Sequence, residues 1–263
     1  MGSGGGFEGA ASHGLAGSLC IWGGPRVPPV TDWRGAFAFC IWGVVSRGAM
    51  VAVWRGAFAY GGQEAVVRVC GLVGSPNRGG NVDLLVSEVL RGAGSQGAET
   101  LKLYLGELDI MPCQDCGVDP SPDYCLFDDD MAQIYVALTS YDGIVLGSPV
   151  YFNTVSAQAK IVIDRCNCLM PCVRQGDGSF VFERRVNRRK KGVFIAVAGD
   201  PDQEFNTIQR TVKAFFCWAN IGLMDVIRYV NPENELGSVR NDGEKLNQAF
   251  EAGVRMVAWE NDI

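Results

Sequence analysis

Histidine is almost absent from this sequence: among 263 residues there is one, at position 13. Imidazole is the side chain that most often exchanges protons near neutral pH, and it is also the commonest metal ligand. Whatever chemistry the chain performs beyond residue 13 therefore proceeds without histidine-based acid–base or metal catalysis.

The sequence also has no basic surplus, and we expect neither a secretory signal nor a membrane span. Its net charge is −6, and residues 1–62 carry +2, which leaves −8 for the rest. Nucleic acid is not an expected partner, because binding it needs a concentrated basic face; the basic run in residues 183–191 is interpreted as a solvated linker. Residues 35–45, the longest apolar stretch of the N-terminal part, are too few to cross a bilayer. We expect a cytoplasmic protein without a membrane partner, whose cysteines are free thiols or metal ligands rather than disulfides.

Residues 1–62 differ in composition from the remainder. They contain no lysine and four of the six tryptophans, and residues 20–23 and 33–38 are echoed at 40–43 and 54–59. Two imperfect copies are too few to stack into a core, and no helical or strand period is sustained. We interpret residues 1–62 as a low-complexity extension, disordered or loosely packed, for which a partner-binding role stays open. The regular domain is predicted over residues 63–263.

From residue 66 onward, strand-like and helix-like segments alternate. Residues 66–73 form an apolar, β-branched run typical of a strand buried on both faces, and residues 82–90 have helical spacing. The pattern continues with strands at 100–105, 144–146, 192–198 and 223–230 and helices at 128–140, 155–164, 204–218 and 243–259. It predicts a parallel sheet with helices on both faces and ligands at the carboxyl ends of the strands.

A glycine-rich loop joins the first strand to the first helix. Its sequence is Gly74-Ser75-Pro76-Asn77-Arg78-Gly79-Gly80-Asn81. Glycines let the backbone approach an anion, and a helix N-terminus offers free N–H groups, so the loop suits a phosphate monoester. Lys-Ser or Lys-Thr after the last glycine, which a nucleoside-triphosphate loop needs, is missing, and so is the dinucleotide pattern Gly-x-Gly-x-x-Gly.

Two further segments follow in order. One contains Pro112-Cys113, Cys116, Cys125 and residues 129–131; the other is Gly147-Ser148-Pro149-Val150-Tyr151-Phe152, ahead of a helix. Together with the glycine-rich loop, they resemble the NADPH-dependent FMN reductase and iron–sulfur flavoprotein families over roughly residues 66–260. The resemblance implies an α/β, flavodoxin-like three-layer sandwich, with a five-stranded parallel sheet in the order 2-1-3-4-5. Val82 departs from the family, which usually has a threonine there.

The same resemblance implies an FMN cofactor held by two loops. The phosphate would be bound by residues of the first loop: Ser75, Asn77, Arg78, Gly80 and Asn81. The isoalloxazine ring would lie against the second: Pro149, Val150, Tyr151, Phe152 and Asn153. These residue types suit the assignment, because a flat aromatic ring favours apolar and aromatic walls with a few polar groups. A third loop, residues 199–201, is expected to cover the flavin from the same sheet edge.

The cysteines allow three interpretations. Cys113, Cys116 and Cys125 have the spacing of a soft-metal site, but the resemblance puts Asp119 where the related iron–sulfur flavoproteins have another cysteine. The loop could carry free thiols, hold a cluster completed by Asp119 or another residue, or form a redox pair; the sequence favours free thiols. Cys166, Cys168 and Cys172 form a second group, and spacing alone does not establish whether the two groups meet.

The expected function is that of an oxidoreductase. NADPH or NADH would reduce FMN, and a flavin, quinone or metal complex would accept the electrons. The alternatives are an electron carrier with FMN and an iron–sulfur cluster on the Cys113, Cys116 and Cys125 loop, and a flavin-binding regulatory module without turnover. Family resemblance also implies a homodimer or homotetramer.

Overall fold

The computed structural model describes residues 66–117 and 123–258. The predicted extension, residues 1–62, lies outside the described residues, and so does Asp119. What the sequence predicts for them stays a prediction.

Seven strands lie in the described ranges. They are β1 (Arg68–Val73), β2 (Glu99–Tyr104), β3 (Gly143–Pro149), β4 (Cys172–Arg174), β5 (Phe180–Phe182), β6 (Lys190–Ala198) and β7 (Ile221–Val230). Five of them form one parallel sheet in the order β2-β1-β3-β6-β7, while β4 and β5 pair as a separate antiparallel hairpin. Counted along the main sheet alone, the order is 2-1-3-4-5, so the predicted flavodoxin-like topology is confirmed. The hairpin was not predicted.

Helices cover both faces of the sheet. They are α1 (Asn81–Ser95), α2 (Met131–Ser140), α3 (Ala157–Arg165), α4 (Asn206–Trp218) and α5 (Gly243–Ala258). Residues of α1 and α5 pack in one apolar cluster, and residues of α2, α3 and α4 pack in the other. Among the described helices, none combines the length and the apolar character needed to cross a bilayer.

The strands explain the continuous apolar runs of the sequence. In β1, Cys70 and Leu72 belong to one cluster, whereas Val69 and Val73 belong to the other. Successive side chains of a strand point to opposite faces, so a strand covered on both sides needs apolar residues at every position.

The start of α2 differs from the prediction, which began that helix at residue 128. The helix begins at Met131, and the Asp129 carboxylate accepts a hydrogen bond from the Met131 backbone N–H at 3.1 Å. Aspartate before the first helical turn satisfies donors that the helix itself leaves open.

The basic run also differs from its interpretation as a solvated linker. Lys190 opens β6 and is only 2% exposed, and its Nζ donates to the Arg188 carbonyl at 3.0 Å. Burial and then the nearby Arg188 charge lower the pKa of Lys190 to about 8, although Asp142 acts in the opposite direction. A buried ammonium is costly because the interior solvates charge poorly.

Lys190→Met is therefore expected to stabilise the protein at pH 7. Lysine in an unfolded chain has a pKa of about 10.4, so the penalty for protonating Lys190 is full below about pH 8 and vanishes above about pH 10.4. The lowered pKa of Lys190 corresponds to a penalty of about 3 kcal/mol in the free energy of unfolding. Loss of the hydrogen bond to the Arg188 carbonyl costs about 1 kcal/mol, so Lys190→Met should gain about 2 kcal/mol. Chemical denaturation of the wild type and the variant at pH 7 and near pH 10 measures this gain in stability.

Lys213→Met, on the exposed side of α4, is the matched control, because it removes the same charge from water-accessible surface. A gain for Lys190→Met that persists unchanged near pH 10 would contradict the explanation by burial.

Candidate functional site

The glycine-rich loop between β1 and α1 is a compact turn. The Asn77 N–H donates to Ser75 Oγ at 3.3 Å, and the Gly80 N–H donates to the Asn77 carbonyl at 3.2 Å. Gly79 has a φ of +68°, a conformation that glycine adopts without strain. The turn leads directly into the first turn of α1, whose N–H groups have no intrahelical acceptors. It therefore combines open donors with the positive end of a helix dipole.

The second loop, which follows β3, lies against the first. The Gly74 N–H donates to the Gly147 carbonyl at 2.8 Å, and Ser156 Oγ donates to the Gly74 carbonyl at 2.5 Å. A Cβ at position 74 would stand 2.9 Å from the Gly147 oxygen, so only glycine permits this approach. Because β1 and β3 are parallel neighbours, both loops lie at the same carboxyl edge of the sheet.

The predicted phosphate residues have different surroundings. Ser75 is buried, whereas Asn77 and Arg78 are exposed. Both Nε and Nη2 of Arg78 donate to the Glu107 carboxylate at 2.6 Å, and the guanidinium lies 3.9 Å from the centre of the Tyr104 ring. Gly80 precedes the first residue of α1. Arg78 is thus held beside the loop by Glu107 and Tyr104, neither of which sequence reasoning singled out.

The Asn81 side chain is occupied within the protein. Its Oδ1 accepts the Val239 N–H at 2.9 Å, and its Nδ2 donates to the Glu235 carbonyl at 3.4 Å. The segment after β7 thus engages the Asn81 side chain, which leaves the backbone N–H of Asn81 at the start of α1 as its donor for a ligand.

That segment supplies a cation which sequence reasoning missed. Arg240 Nη2 donates to the Gly79 carbonyl at 3.1 Å, so a second arginine lies at the loop. No local signal could have identified it, because 161 residues separate the two positions.

Asp83 brings a negative charge to the first turn of α1, but the charge is compensated. Its carboxylate accepts Lys102 Nζ at 2.8 Å, the Tyr104 hydroxyl at 3.0 Å and the Gly79 N–H at 2.7 Å. Burial alone would raise the pKa of Asp83, but these hydrogen bonds outweigh it and hold the pKa below its usual range. The carboxylate thus fixes the loop without making it anionic overall.

The second loop ends in a tight turn. Tyr151 and Thr154 exchange two backbone hydrogen bonds of 3.0 Å, and the two residues between them, Phe152 and Asn153, have φ values of +48° and +61°. Asparagine tolerates this left-handed region, whereas phenylalanine rarely adopts it. Phe152 is also completely exposed, and Tyr151 is half exposed. Strain combined with an exposed aromatic ring is typical of a binding loop rather than of a packing position.

The remaining residues of the second loop support this turn. Pro149 and Val150 are half-buried, and the Val150 N–H donates to the Val197 carbonyl at 2.8 Å. Gln203, just past the third loop, donates through Nε2 to Asn153 Oδ1 at 2.7 Å. All three loops thus meet at one edge of the sheet.

Phe152→Gly is expected to raise stability and to weaken binding of a flat aromatic ligand. The change removes strain of the order of 1 kcal/mol and loses no packing, since the side chain is exposed. Loss of one aromatic contact would weaken ligand binding about three- to tenfold. Denaturation and ligand titration test the two effects, and Phe180→Ala, which removes another exposed ring from β5, should alter neither. A variant less stable than the wild type would argue against strain at Phe152.

The cysteine-bearing loop is anchored by a buried ion pair. Arg165, at the end of α3, donates to the Asp129 carboxylate at 2.5 and 3.1 Å and to the Met111 carbonyl at 2.6 Å. Cys113 and Cys116 are exposed on this loop, and Cys125 is half-buried. Within the described ranges, no three Cys, His, Asp or Glu side chains are arranged to hold a single metal ion.

Comparison with known proteins identifies a matching family model and several proteins of similar sequence. The family model for NADPH-dependent FMN reductase matches residues 67–231. An iron–sulfur flavoprotein of Methanosarcina thermophila is 29% identical over 164 residues, which cover 61% of this chain and 77% of the relative. An iron–sulfur flavoprotein of Methanocaldococcus jannaschii is 40% identical over 99 residues, 38% of this chain and 51% of the relative. The chain thus spans about half the length of the second relative.

Solved structures share the fold. RosB with bound 8-demethyl-8-formylriboflavin-5′-phosphate superposes with a TM-score of 0.55 at 14% identity, covering 73% of this chain and 77% of that one. An FMN-dependent NADH-azoreductase from Bacillus anthracis in complex with FMN superposes with a TM-score of 0.51 at 10% identity, covering 73% of this chain and 100% of that one. At such identities, the likeness concerns the fold alone.

Proposed function

The chain belongs to the NADPH-dependent FMN reductase family, and from this premise we propose that it transfers hydride from NADPH or NADH to bound FMN and passes the electrons to a flavin, a quinone or a metal complex. That it is an FMN-dependent oxidoreductase follows from the family itself. The nicotinamide, the acceptor and the site residues are the parts proposed here.

The observation that carries the proposal is the meeting of the two loops. Hydrogen bonds at Gly74 hold the glycine-rich loop against the end of β3. One loop carries open N–H donors at a helix N-terminus, and the other carries exposed Tyr151 and Phe152. A ligand with a phosphate at one end and a flat ring at the other matches this pair of surfaces.

The residues fit FMN in charge and in shape. Ser75 Oγ, the N–H groups at the start of α1 and the Arg240 guanidinium would hold the phosphate. Arg78, which is paired with Glu107, would add positive charge from the same loop. Glycine at position 80 lets the turn close tightly, since a Cβ there would stand 3.0 Å from the Asn77 carbonyl oxygen. Asp83 adds no uncompensated charge, because Lys102 pairs with it.

FMN, when bound, supplies the hydride and electron transfer, for which side chains have no equivalent. The protein's part is to bind and orient. Tyr151 and Phe152 would flank the ring, and Asn153, fixed by Gln203, would offer a hydrogen-bonding edge. No general acid or base is required, which agrees with the lack of histidine outside position 13.

Steady-state kinetics with the purified full-length chain tests the proposal. We expect about one FMN per chain after incubation with the cofactor, and oxidation of NADPH or NADH that saturates with nicotinamide and depends on an added quinone or flavin. A chain that binds no FMN would refute the proposal. FMN binding without nicotinamide oxidation would instead support the regulatory module. Size-exclusion chromatography tests the predicted homodimer or homotetramer.

A second candidate is an electron carrier that combines FMN with an iron–sulfur cluster. Two cysteine groups that line a common cavity favour it, and relatives bear the name iron–sulfur flavoprotein. Iron and sulfide analysis of the same preparation separates this candidate from a reductase that uses FMN alone.

A further inference from the structure

A groove of about 730 Å³ lies beside the outer edge of β7, next to α4. Five apolar side chains form its floor: Phe216, Ile221, Leu223, Met224 and Val226. The groove runs along residues 221–226, the amino-terminal part of β7, whereas the flavin loops follow the carboxyl ends of their strands. This β7 groove is therefore separate from the flavin site, and its volume is in the range of small-molecule sites.

Three cations line the β7 groove: Arg184, Arg189 and Lys213. All three are exposed, and none of them forms an ion pair with another described residue. Arg184 Nη1 donates to the Cys217 carbonyl at 2.9 Å. A Cβ at Gly222 would stand 3.4 Å from Nε and Nη2 of Arg189. Both guanidinium groups thus lie against the walls of the groove and carry charge that no carboxylate of the described residues neutralises.

The groove itself does not balance this charge. Asp225 is the one acidic side chain among the described residues that line it. Its Oδ2 accepts Arg255 Nη2 at 2.6 Å, and its Oδ1 accepts the Val226 N–H at 2.8 Å. Residues 63–263 carry a net charge of −8, so three unpaired cations around one cavity are contrary to the charge of the domain. Because like charges repel, their grouping favours an anionic occupant.

From the apolar floor and the unpaired cations, we propose that the β7 groove binds an organic anion with a compact apolar body and one carboxylate, sulfonate or phosphate group. The body packs on Phe216, Leu223 and Met224, and the anionic group is bound by Arg189 and Lys213. Guanidinium and ammonium groups form strong, charge-assisted hydrogen bonds with such anions. The inference goes beyond the proposed function and does not depend on flavin binding.

The edge of β7 favours a compact ligand over an added peptide strand. An added strand needs free backbone donors along a regular edge. The Val226 N–H is already bound by Asp225, and the pairing of β6 with β7 shifts register between Gly192 and Val193. An irregularity of this kind protects an edge strand from further pairing.

Burial of the floor argues against a membrane surface as the occupant. Phe216 is 1% exposed and Ile221 is 5% exposed, while Leu223, Met224 and Val226 are half-buried. Side chains that insert into a lipid surface must project from the protein. These side chains are instead reached by a molecule that enters the groove.

Isothermal titration calorimetry of the full-length chain tests the proposal with two naphthalene compounds. Naphthalene-2-sulfonate is an aromatic anion, and naphthalene-2-sulfonamide has nearly the same shape without the charge. We expect one sulfonate per chain, bound about tenfold more tightly than the sulfonamide, because hydrogen bonds to a charged group are the stronger ones. The difference should shrink at high salt, since exposed charges are screened.

Arg189→Gln combined with Lys213→Gln should remove most of this preference. Affinity for the sulfonate should fall about tenfold, towards that of the sulfonamide, which should itself be unchanged. Arg210→Gln is the matched control, because Arg210 is an exposed cation of α4 that does not line the groove. All three side chains are exposed, so the variants should fold normally, which circular dichroism checks.

Repeating the titrations with saturating FMN separates this site from the flavin site. Sulfonate affinity should be the same with and without FMN, and a chain that binds no flavin should still bind the sulfonate. Competition by FMN, equal affinities for the two compounds, an equally large loss in Arg210→Gln, or no binding of either compound would each overturn the proposal. A changed oligomeric state of the double variant on size-exclusion chromatography would also overturn it, because the groove would then be a contact between copies of the chain.

Discussion

FMN is expected to bind this protein about 100-fold more tightly than riboflavin, which has the same ring without the phosphate. The glycine-rich loop would offer the phosphate the open N–H groups at the start of α1, with Arg240 bound to the Gly79 carbonyl and Arg78 paired with Glu107 in the same loop. Two charge-assisted hydrogen bonds at about 1.5–3 kcal/mol each are enough for about 3 kcal/mol, which corresponds to roughly two orders of magnitude in affinity. Fluorescence titration of both flavins measures the ratio.

Asn77→Asp should remove much of this preference. Asn77 is exposed, so the substitution adds a negative charge to the loop without disturbing packing. Like charges a few ångströms apart near a protein surface repel by about 1–3 kcal/mol, and FMN affinity should fall about tenfold or more. Riboflavin affinity should stay unchanged, because riboflavin carries no phosphate.

Asn247→Asp makes the same chemical change on the exposed side of α5 and should leave both affinities as they are. Equal affinities for FMN and riboflavin in the wild type would show that the loop does not bind the phosphate. The flavin, if bound, would then lie elsewhere.

Asp129→Asn is expected to destabilise the fold by about 3 kcal/mol. The Arg165 side chain is 1% exposed and that of Asp129 is 13% exposed, and two hydrogen bonds join them. Removing one charge of a buried pair leaves the other uncompensated, which typically costs about 3–5 kcal/mol. Asn retains one acceptor and nearly the same volume, so the loss reports the charge. Denaturant titration should show it, with a melting temperature lower by roughly 10 °C.

Asp164→Asn is the matched control on α3. The Lys160–Asp164 pair is also within hydrogen-bonding distance, at 2.7 Å, but both side chains are 47% exposed. Exposed pairs contribute about 1 kcal/mol or less. If the two substitutions cost the same, burial would not be what makes the Arg165–Asp129 pair important.

The two largest expected effects concern two different loops, the glycine-rich loop and the cysteine-bearing loop. The first loop is built from backbone groups, so its function depends on conformation and on added charge. The cysteine-bearing loop is instead anchored by Asp129, which also accepts the Met111 N–H at 3.0 Å. Loss of that anchor is therefore expected to loosen Cys113 and Cys116 before it affects the flavin loops.

The sequence by itself determined the parallel sheet, the helices on its two faces and the two loops at its carboxyl edge, whereas the strand order was implied by the family resemblance. Apolar runs such as residues 66–73 require burial on both faces, and a strand–loop–helix order directs the Gly74–Asn81 turn to that edge. Such signals are local, because hydrophobic periodicity and turn-forming residues are features of short stretches of consecutive residues. The start of α2 was not determined in this way, since the acidic run precedes Met131 and Asp129 accepts the Met131 N–H from outside the helix.

Only the tertiary structure decided which distant residues share a site. It engaged the Asn81 side chain with Val239, brought Arg240 to Gly79, buried Lys190 within a basic run, and set Cys168 and Cys125 on the same arginine. The contacts Cys125–Arg165, Asn81–Val239 and Gly79–Arg240 join residues that are 40, 158 and 161 positions apart. Local spacing carries no information about them, because chain folding and not sequence separation sets which side chains meet.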